Sequence, residues 1–349
     1  MPSFPSPLPR TLDLRTCGID PHHWYVVAPS AALTTKPLST TLWYEEIVLF
    51  RDEQGQIHAL TDMCPHRQVK LSGGTVVGDS LECAYHGWRF NGQGDCAWVP
   101  SLKRKLPNCR VKAFPVREQD GFIWIYLAAG QPREIEPLPI PEWSELNFIG
   151  SVAEMKAQAH FSYVIANLMD MHHGHLHRAH QPWAHAQLEN LTLKSGRVDA
   201  IYQAQSYYRI DKIWSVLQLF LPFLRQLHPE NLQVSYCYPH WYAELGEEFR
   251  LYGLLCPETR TSTRIYLLHF VSLGAFKNLH KLPVPFRRWV KNRLFNAAQG
   301  LLDALLAEDV VMIEQEQQAF QQNPQQSNRE VNPAVLKAEQ LIMAHSRQG

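Results

Sequence analysis

Two short stretches of the sequence each place one cysteine close to one histidine. Cys64 and His66 are separated by one residue, and Cys83 and His86, separated by two residues, follow after 16 intervening positions. A two-iron, two-sulfur cluster with two thiolates on one iron and two imidazoles on the other needs this donor set. The four residues are therefore predicted to hold such a cluster. A Cys2His2 zinc site is the alternative, although zinc sites favour cysteines paired two residues apart.

A dense run of histidines offers a second site. Five histidines lie within nine residues, between His172 and His180. Counted at about 100° per residue, Asp170, His173 and His177 share one helical face with the preceding Asn167. Two imidazoles and one carboxylate from another element form the facial triad of non-heme Fe(II) enzymes. His173 and His177 are the predicted ligands. Three alternatives remain open. His172 could bind the iron together with His177, His180 could be a ligand, or the histidines could form a solvated face.

The third ligand is expected in a long helix near the C-terminus. Asp309 lies at the centre of an apolar stripe, whereas Glu308 points about 100° away from it. The stripe consists of Leu302, Leu305, Leu306 and Ile313. A carboxylate on a buried stripe is costly unless it is paired or bound to a metal, so Asp309 is the predicted ligand. Glu316 lies on the same stripe and is the alternative.

The elements that position these residues divide the chain into two parts. Short β-rich runs at 24–28, 46–50 and 122–127 are separated by turn residues, which predicts an all-β domain over 21–128. Residues 129–145 are rich in proline and are predicted to be a linker. Residues 1–20 are expected to be a disordered lead-in, and residues 146–349 a second domain.

The second domain mixes helical and strand patterns. Helices are predicted over 161–173, 286–320 and 333–345, and strands over 233–242, 249–255 and 262–271. The predicted fold class is α+β, with an antiparallel sheet covered by long helices.

Composition excludes several other classes of protein. The 33 basic residues balance the 33 acidic residues, which argues against a general nucleic-acid binder. No apolar run approaches the roughly 20 residues of a membrane-spanning helix, and the proline-rich start is unlike a secretory signal. Seven cysteines are an odd number in a long chain, so we expect a reducing compartment, the cytoplasm, and no disulfide framework.

The motifs resemble those of a known family. The sequences around Cys64-Pro-His66-Arg67 and Cys83-Ala-Tyr-His86-Gly87-Trp88-Arg89-Phe90 resemble the signature of the Rieske non-heme iron oxygenases. Residues 91–96 and 121–125 are similar to the branch that contains chlorophyllide a oxygenase and pheophorbide a oxygenase. Gln68 departs from this pattern, because the family usually has a small residue there, and the change is expected to affect the rim of the cluster.

The second motif is also similar to that family. Asn167, Asp170, His173 and His177 resemble its mononuclear iron motif, and residues 306–318 resemble the stretch around its third ligand. Many members have four residues between the two histidines, where this chain has three and places Arg178 at the further position. Some carbazole-type members use the shorter spacing.

The resemblance implies a fold, an activity and partners. The fold would be an N-terminal Rieske domain followed by a helix-grip, START-like catalytic domain, with one 2Fe-2S cluster and one mononuclear Fe(II). The protein would be a terminal oxygenase component that takes electrons from a ferredoxin or reductase. It would use dioxygen to hydroxylate or oxidatively dealkylate a hydrophobic aromatic or polycyclic substrate. A non-catalytic Rieske electron carrier with a degenerate second domain is the alternative function.

The resemblance also gives roles to two residues that are not ligands. Asp170, with Asn167 beside it in the motif, would link His86 of one chain to His173 of the next. This relay requires a closed head-to-tail ring, usually a homotrimer.

Overall fold

The computed structural model describes residues 13–100, 102, 106–130, 132–145, 147–180, 183–206, 221, 227–246, 249–272, 281–326 and 328–346. Within these ranges it describes the side chains except those of residues 178–180, 287, 288, 290–302 and 305. The described residues form 17 strands and three α-helices, mostly in antiparallel sheets.

The N-terminal part is built from ten strands in three small sheets. The sheets have the orders β1-β10-β9, β2-β3-β4 and β5-β6-β7-β8. The strands are β1 (Trp24–Pro29), β2 (Leu38–Leu42), β3 (Glu45–Arg51), β4 (Ile57–Thr61), β5 (Thr75–Val77), β6 (Ser80–Glu82), β7 (Arg89–Asn91), β8 (Cys96–Trp98), β9 (Val116–Gln119) and β10 (Phe122–Tyr126). The predicted all-β character of this part is confirmed.

The C-terminal part is one seven-stranded antiparallel sheet with helices packed against it. Its strand order is β11-β17-β16-β15-β14-β13-β12. The elements are β11 (Phe148–Ala157), α1 (Phe161–Met169), β12 (Trp183–Lys194), β13 (Arg197–Ser206), β14 (His228–Cys237), β15 (His240–Leu245), β16 (Phe249–Thr259), β17 (Ser262–Ser272), α2 (Val284–Gln322) and α3 (Pro333–Ser346). The α+β class and the two C-terminal helices are confirmed.

Two predicted elements differ from the observed helices and strands in where they end. The predicted helix over 161–173 ends at Met169, and Met171–His180 continues as a 3-10 helix. Asp170 turns the chain because its backbone is extended and its carboxylate accepts the N–H of His172 at 3.0 Å, a local bond that competes with the helix. The predicted strand over 233–242 is two strands, β14 and β15, separated by a turn at Tyr238-Pro239.

The end of the predicted lead-in is ordered. Residues 1–12 lie outside the described part, but Leu14–Thr16 form a 3-10 turn capped by Asp13. Cys17 and Asp20 are completely buried. The guanidinium of Arg15 stacks over the ring of Phe320 at 4.0 Å, which attaches this segment to α2. Disorder was therefore the wrong expectation for residues 13–20.

One hydrophobic core extends through both parts of the chain. It includes β1 and β10 from the N-terminal part together with the large sheet, α1 and α3 from the C-terminal part. A second, smaller core surrounds the two cysteines of the predicted cluster. Backbone hydrogen bonds also join the parts: the N–H groups of Trp43 and Tyr44 donate to carbonyls in β16, each at 2.8 Å. The described residues of the predicted linker include one short 3-10 helix, Pro141–Trp143.

Candidate metal centres

The two cysteine–histidine loops have the same backbone. In the first loop, the N–H of Cys64 donates to the carbonyl of Val69, and the N–H of Gln68 donates back to the carbonyl of Cys64, each at 2.8 Å. Cys83 makes the same two bonds at the same offsets, at 2.8 and 3.0 Å. The two loops thus present their cysteines in matching ways, as a clamp around one group requires.

The fourth residue after each cysteine needs a left-handed backbone. Its φ is 59° at Gln68 and 69° at Gly87. Glycine adopts this conformation without steric cost, whereas glutamine does so with strain. A Cβ on Gly87 would also lie 3.0 Å from the ring of Pro100. The departure from the family pattern at Gln68 therefore leaves the loop geometry intact.

The side chains of the loops form a donor set with two buried thiols and two exposed imidazoles. Cys64 and Cys83 are 1% and 2% exposed. The rings of His66 and His86 lie at the surface with centroids 4.5 Å apart. Burial raises the pKa of the Cys64 thiol to about 11, so a thiolate at Cys64 requires a compensating positive charge. This arrangement fits a cluster with sulfur ligands inside and nitrogen ligands outside.

His173, His177 and Asp309 are brought together by the fold, and their ligand atoms all lie within 4.8 Å of one another. Both histidines come from the 3-10 segment after α1, and Asp309 comes from α2. The Nε2 atoms of His173 and His177 are 3.9 and 3.6 Å from Oδ1 of Asp309. Leu306 and Ile313, on the same stripe as Asp309, are buried as expected, while the side chains of Leu302 and Leu305 lie outside the description.

Both imidazoles are held through their other ring nitrogen. Nδ1 of His173 forms a short hydrogen bond with the backbone carbonyl of Asp170. Nδ1 of His177 lies 2.9 Å from Oε2 of Glu308. Such contacts fix the tautomer and leave each Nε2 free as a ligand. Sequence reasoning missed the role of Glu308, although two adjacent acids on α2 were a visible signal.

Burial sets the electrostatics of this group. It raises the pKa of the Asp309 carboxyl and lowers the pKa of His173, opposed in both cases by the attraction between the two groups. The amide of Asn167 donates to Oδ1 of Asp309 at 3.4 Å. A divalent cation would stabilise the negative charge that burial disfavours at Asp309, and it binds imidazole nitrogen and carboxylate oxygen, so these residues fit a mononuclear iron.

Asp170 lies beside the group of His173, His177 and Asp309, but its carboxylate bonds other residues. Its Oδ1 accepts the side-chain amide of Asn332 at 2.8 Å, and Asn332 also bonds the hydroxyl of Tyr202. Together with Asn167 and His173, Asp170 lines a cavity of about 1090 Å³. Asn332 gave no sequence signal, because its position depends on how α3 packs.

Two of the three alternative ligands, His172 and Glu316, have described side chains, and neither joins the group. Nδ1 of His172 bonds Asp170, and the side chain is half exposed. Glu316 is outside the group formed by the described residues, and burial raises its pKa. The side chain of His180 lies outside the described part.

Comparison with known proteins decides the family. A family model described as the Rieske [2Fe-2S] domain matches residues 23–115. The chain is 31% identical to the 4beta-methylsterol monooxygenase of Methylococcus capsulatus, over 96% of this chain and 91% of that protein. The chain belongs to the Rieske non-heme iron oxygenases. This oxygenase is also 37% identical to chlorophyllide a oxygenase of Chlamydomonas reinhardtii, over 46% of this chain and 24% of that one.

The oxygenase shares its fold with dicamba monooxygenase. A crystal structure of that enzyme bound to dicamba matches with a TM-score of 0.74 and 22% identity, covering 95% of this chain and 98% of that one. The protein is the terminal oxygenase component of a Rieske system, with one 2Fe-2S cluster and one mononuclear iron, supplied with electrons by a ferredoxin or reductase. The zinc interpretation of the cysteine loops is therefore wrong. No helix in the described part of the chain is long and apolar enough to cross a membrane.

Proposed function

We propose that this oxygenase hydroxylates a methyl group, or removes it oxidatively, from a hydrophobic polycyclic compound. A relative that matches almost the whole chain is named for a methylsterol, a polycyclic substrate of that kind. By sequence, family members that act on aromatic compounds match less than half of the chain, as dicamba O-demethylase of Stenotrophomonas maltophilia does at 45%. An aromatic substrate is the second expectation.

The observation that carries the proposal is the convergence of His173, His177 and Asp309. We assign these three residues as the ligands of the mononuclear iron, and Cys64, His66, Cys83 and His86 as the ligands of the cluster. These two imidazoles and one carboxylate would hold ferrous iron, which would supply the activation of dioxygen. The same donor set argues against a carrier with a degenerate second domain.

The residues around these ligands fix and shield them. Glu308 and the carbonyl of Asp170 orient the two imidazoles. Asn167 positions Asp309. The indole of Trp183 lies edge-on to His173, with ring centroids 5.8 Å apart, and donates a hydrogen bond to the carbonyl of Met171 at 2.6 Å. These side chains limit the access of water to His173 from that side.

Asp170 is proposed to connect the cluster of one chain to the iron of the next. Its carboxylate is about one-third exposed and faces a cavity, and the ring of His86 is exposed on the N-terminal part. Two partly exposed groups of this kind are able to meet across a subunit boundary. A head-to-tail ring that closes, which we propose is a homotrimer, satisfies every such contact.

We also propose limits for the domains of the chain and a cellular compartment for the enzyme. Residues 21–128 are the iron–sulfur domain, residues 129–145 the linker and residues 146–349 the catalytic domain. None of the seven cysteines forms a disulfide, which suits a reducing compartment, and we assign the enzyme to the cytoplasm.

The test is a substrate screen scored by oxygen uptake together with product formation. The reconstituted enzyme, with a ferredoxin and reductase, is offered methylsterols and aromatic methyl ethers of similar hydrophobicity. We expect oxygen uptake matched by product from the methylsterols, and none from a His177→Ala variant that retains its cluster spectrum. The polycyclic assignment would be refuted if none of the compounds gave product despite oxygen uptake. It would also be refuted if only the aromatic ethers gave product.

A further inference from the structure

A second group of two histidines and one carboxylate lies away from both proposed metal centres. Asp20 and His23 come just before β1, and His345 comes from the last turn of α3. The Nδ1 atoms of His23 and His345 each lie 3.2 Å from Oδ2 of Asp20. All three potential ligand atoms lie within 4.8 Å of one another.

We propose that Asp20, His23 and His345 bind a zinc ion that attaches the C-terminal helix to the start of the iron–sulfur domain. Zinc in proteins takes tetrahedral sets of imidazole nitrogen and carboxylate oxygen at about 2.0–2.1 Å, so neighbouring ligand atoms are separated by about 3.3 Å. The two separations of 3.2 Å match the edges of such a tetrahedron. A water molecule would complete the fourth position.

The orientation of His23 favours a shared ion over direct pairing. Its Nδ1 atom is buried and has no aligned hydrogen-bond partner among the described residues, although Oδ2 of Asp20 is only 3.2 Å away. A histidine held for its carboxylate alone would align with it, because an unsatisfied buried nitrogen is costly. Nδ1 of His345 already lies within hydrogen-bond distance of the same Oδ2, at 3.2 Å, and an ion between the three atoms would satisfy His23 as well.

The surrounding side chains hold the three ligands in place. The other carboxylate oxygen of Asp20, Oδ1, accepts the N–H of His22 at 2.9 Å, so Oδ2 is the oxygen that faces both imidazoles. The ring of Tyr238 stacks on His345 at 4.1 Å and meets the edge of His23 at 4.9 Å. The hydroxyl of Tyr238 also accepts the backbone N–H of Asp20 at 2.8 Å. Supporting contacts of this kind are typical of metal ligands.

The charge of the site suits a cation. Asp20 is completely buried, and its ion-pair partners within the described part of the chain are the two histidines. A buried carboxylate without a lysine or arginine is expensive unless a metal or a protonated imidazole neutralises it. Zinc does so while both histidines stay neutral.

The ion would connect distant parts of the sequence. His345 lies at the end of α3, and Asn332, at the start of the same helix, bonds the carboxylate of Asp170. A zinc ion at one end of α3 would therefore hold the helix whose other end supports Asp170. This role is structural and does not depend on the identity of the substrate.

The experiment uses untagged, full-length protein with its cluster assembled, in a His177→Ala background that weakens ion binding at the iron centre. Zinc is titrated by calorimetry, and the bound ion is examined by zinc-edge X-ray absorption. The site variant is His345→Gln, which changes a residue near the chain end, and His23→Gln is a second. The matched control is His22→Gln, whose ring bonds Tyr126 outside the group.

We expect about one zinc per chain with nitrogen and oxygen neighbours, and an affinity that falls by about 100-fold or more in either site variant but not in the control. Zinc should also raise the thermal midpoint of the control and leave that of His345→Gln unchanged. Absence of zinc binding, sulfur neighbours, or equal binding by the site variants and the control would overturn the proposal. In the first case, the group is a hydrogen-bonded pair of histidines around Asp20.

Discussion

Nδ1 of His177 lies 2.9 Å from Glu308, while Nε2 of the same ring lies 3.6 Å from the adjacent residue of the helix, Asp309. Two consecutive acids of α2 thus contact opposite edges of one imidazole. This contact assigns the ring proton to Nδ1, which donates to Glu308, and leaves Nε2 unprotonated. The sequence pair Glu308-Asp309 therefore combines a proposed iron ligand with the residue that orients another ligand.

Replacing Glu308 should weaken iron binding without removing a ligand. In Glu308→Ala, we expect the affinity for ferrous iron to fall by about 10–100-fold, because His177 loses the contact that fixes its tautomer. Competition with a ferrous chelator measures this affinity, and the absorption spectrum of the cluster should not change. The control is Glu314→Ala, since Glu314 is on the same helix and accepts the N–H of Gln158 at 2.7 Å. Equal losses in both variants would show that Glu308 has no specific role.

Asp170→Ala tests the proposed relay between subunits. We expect both metals and the cluster spectrum to be retained, because the bond from Asp170 to the ring of His173 is made by its backbone carbonyl, which alanine keeps. Substrate-coupled turnover should be lost, and single-turnover oxidation of the reduced cluster should become slow. His175→Ala changes an exposed residue of the same cavity and should turn over normally. Normal turnover in Asp170→Ala would rule out the relay.

The local parts of this structure were predictable from the sequence. The cysteine and histidine spacing of each loop is set within six residues, so the donor set follows from sequence order. Helices α2 and α3 also agree with their apolar periodicity to within two residues at each end. Asp309 was identified because a carboxylate in a buried apolar stripe is costly unless it is paired or bound to a metal.

The remaining features depend on contacts that sequence order does not reveal. The prediction that one α-helix continues through His177 was wrong, since α1 ends at Met169. His173 and His177 still converge, because the 3-10 segment that carries them packs against α2. Asn332 reaches Asp170 only through the packing of α3. Strands β11 and β12 were missed because few of their residues are buried, which weakens the alternation of apolar residues. Strand β13 does alternate, with Val198, Ala200, Tyr202 and Ala204 buried, and was missed although this signal is present.

The two matching loops allow a test of backbone strain. Gln68→Gly should raise the free energy of unfolding of the iron–sulfur domain by about 1 kcal/mol, because glycine adopts the left-handed conformation at little cost. Gly87→Gln should lower it by at least as much, since the new Cβ also approaches Pro100. Urea denaturation followed by cluster absorbance measures both changes. Stabilisation by Gly87→Gln would contradict the geometry of the loops.

His240 should make the protein less stable in acid. Its Nδ1 accepts the N–H of Leu255 at 3.1 Å, so Nε2 donates to the carbonyl of Trp24 at 3.0 Å, and burial lowers the pKa of the ring to about 3. The unfolded chain binds a proton near pH 6.5 and the folded chain does not, so stability falls as the pH drops below about 6.5.

The matching variant is His240→Gln, which keeps a donor for Trp24. Between about pH 6 and pH 4, the free energy of unfolding of the native protein should fall more steeply than that of the variant, by about 1.4 kcal/mol per pH unit. Denaturant titrations at several pH values measure both slopes. Parallel slopes would mean that His240 is protonated in the folded protein.

The most direct test of the iron assignment is the iron content of His177→Ala, combined with electron paramagnetic resonance of the nitric oxide complex. The native protein should hold about three irons per chain, two in the cluster and one mononuclear, and should give a ferrous nitrosyl signal. His177→Ala should hold about two, lack the nitrosyl signal and keep the Rieske signal. Three irons and an unchanged nitrosyl signal in His177→Ala would contradict the assignment of His173, His177 and Asp309 as the iron ligands.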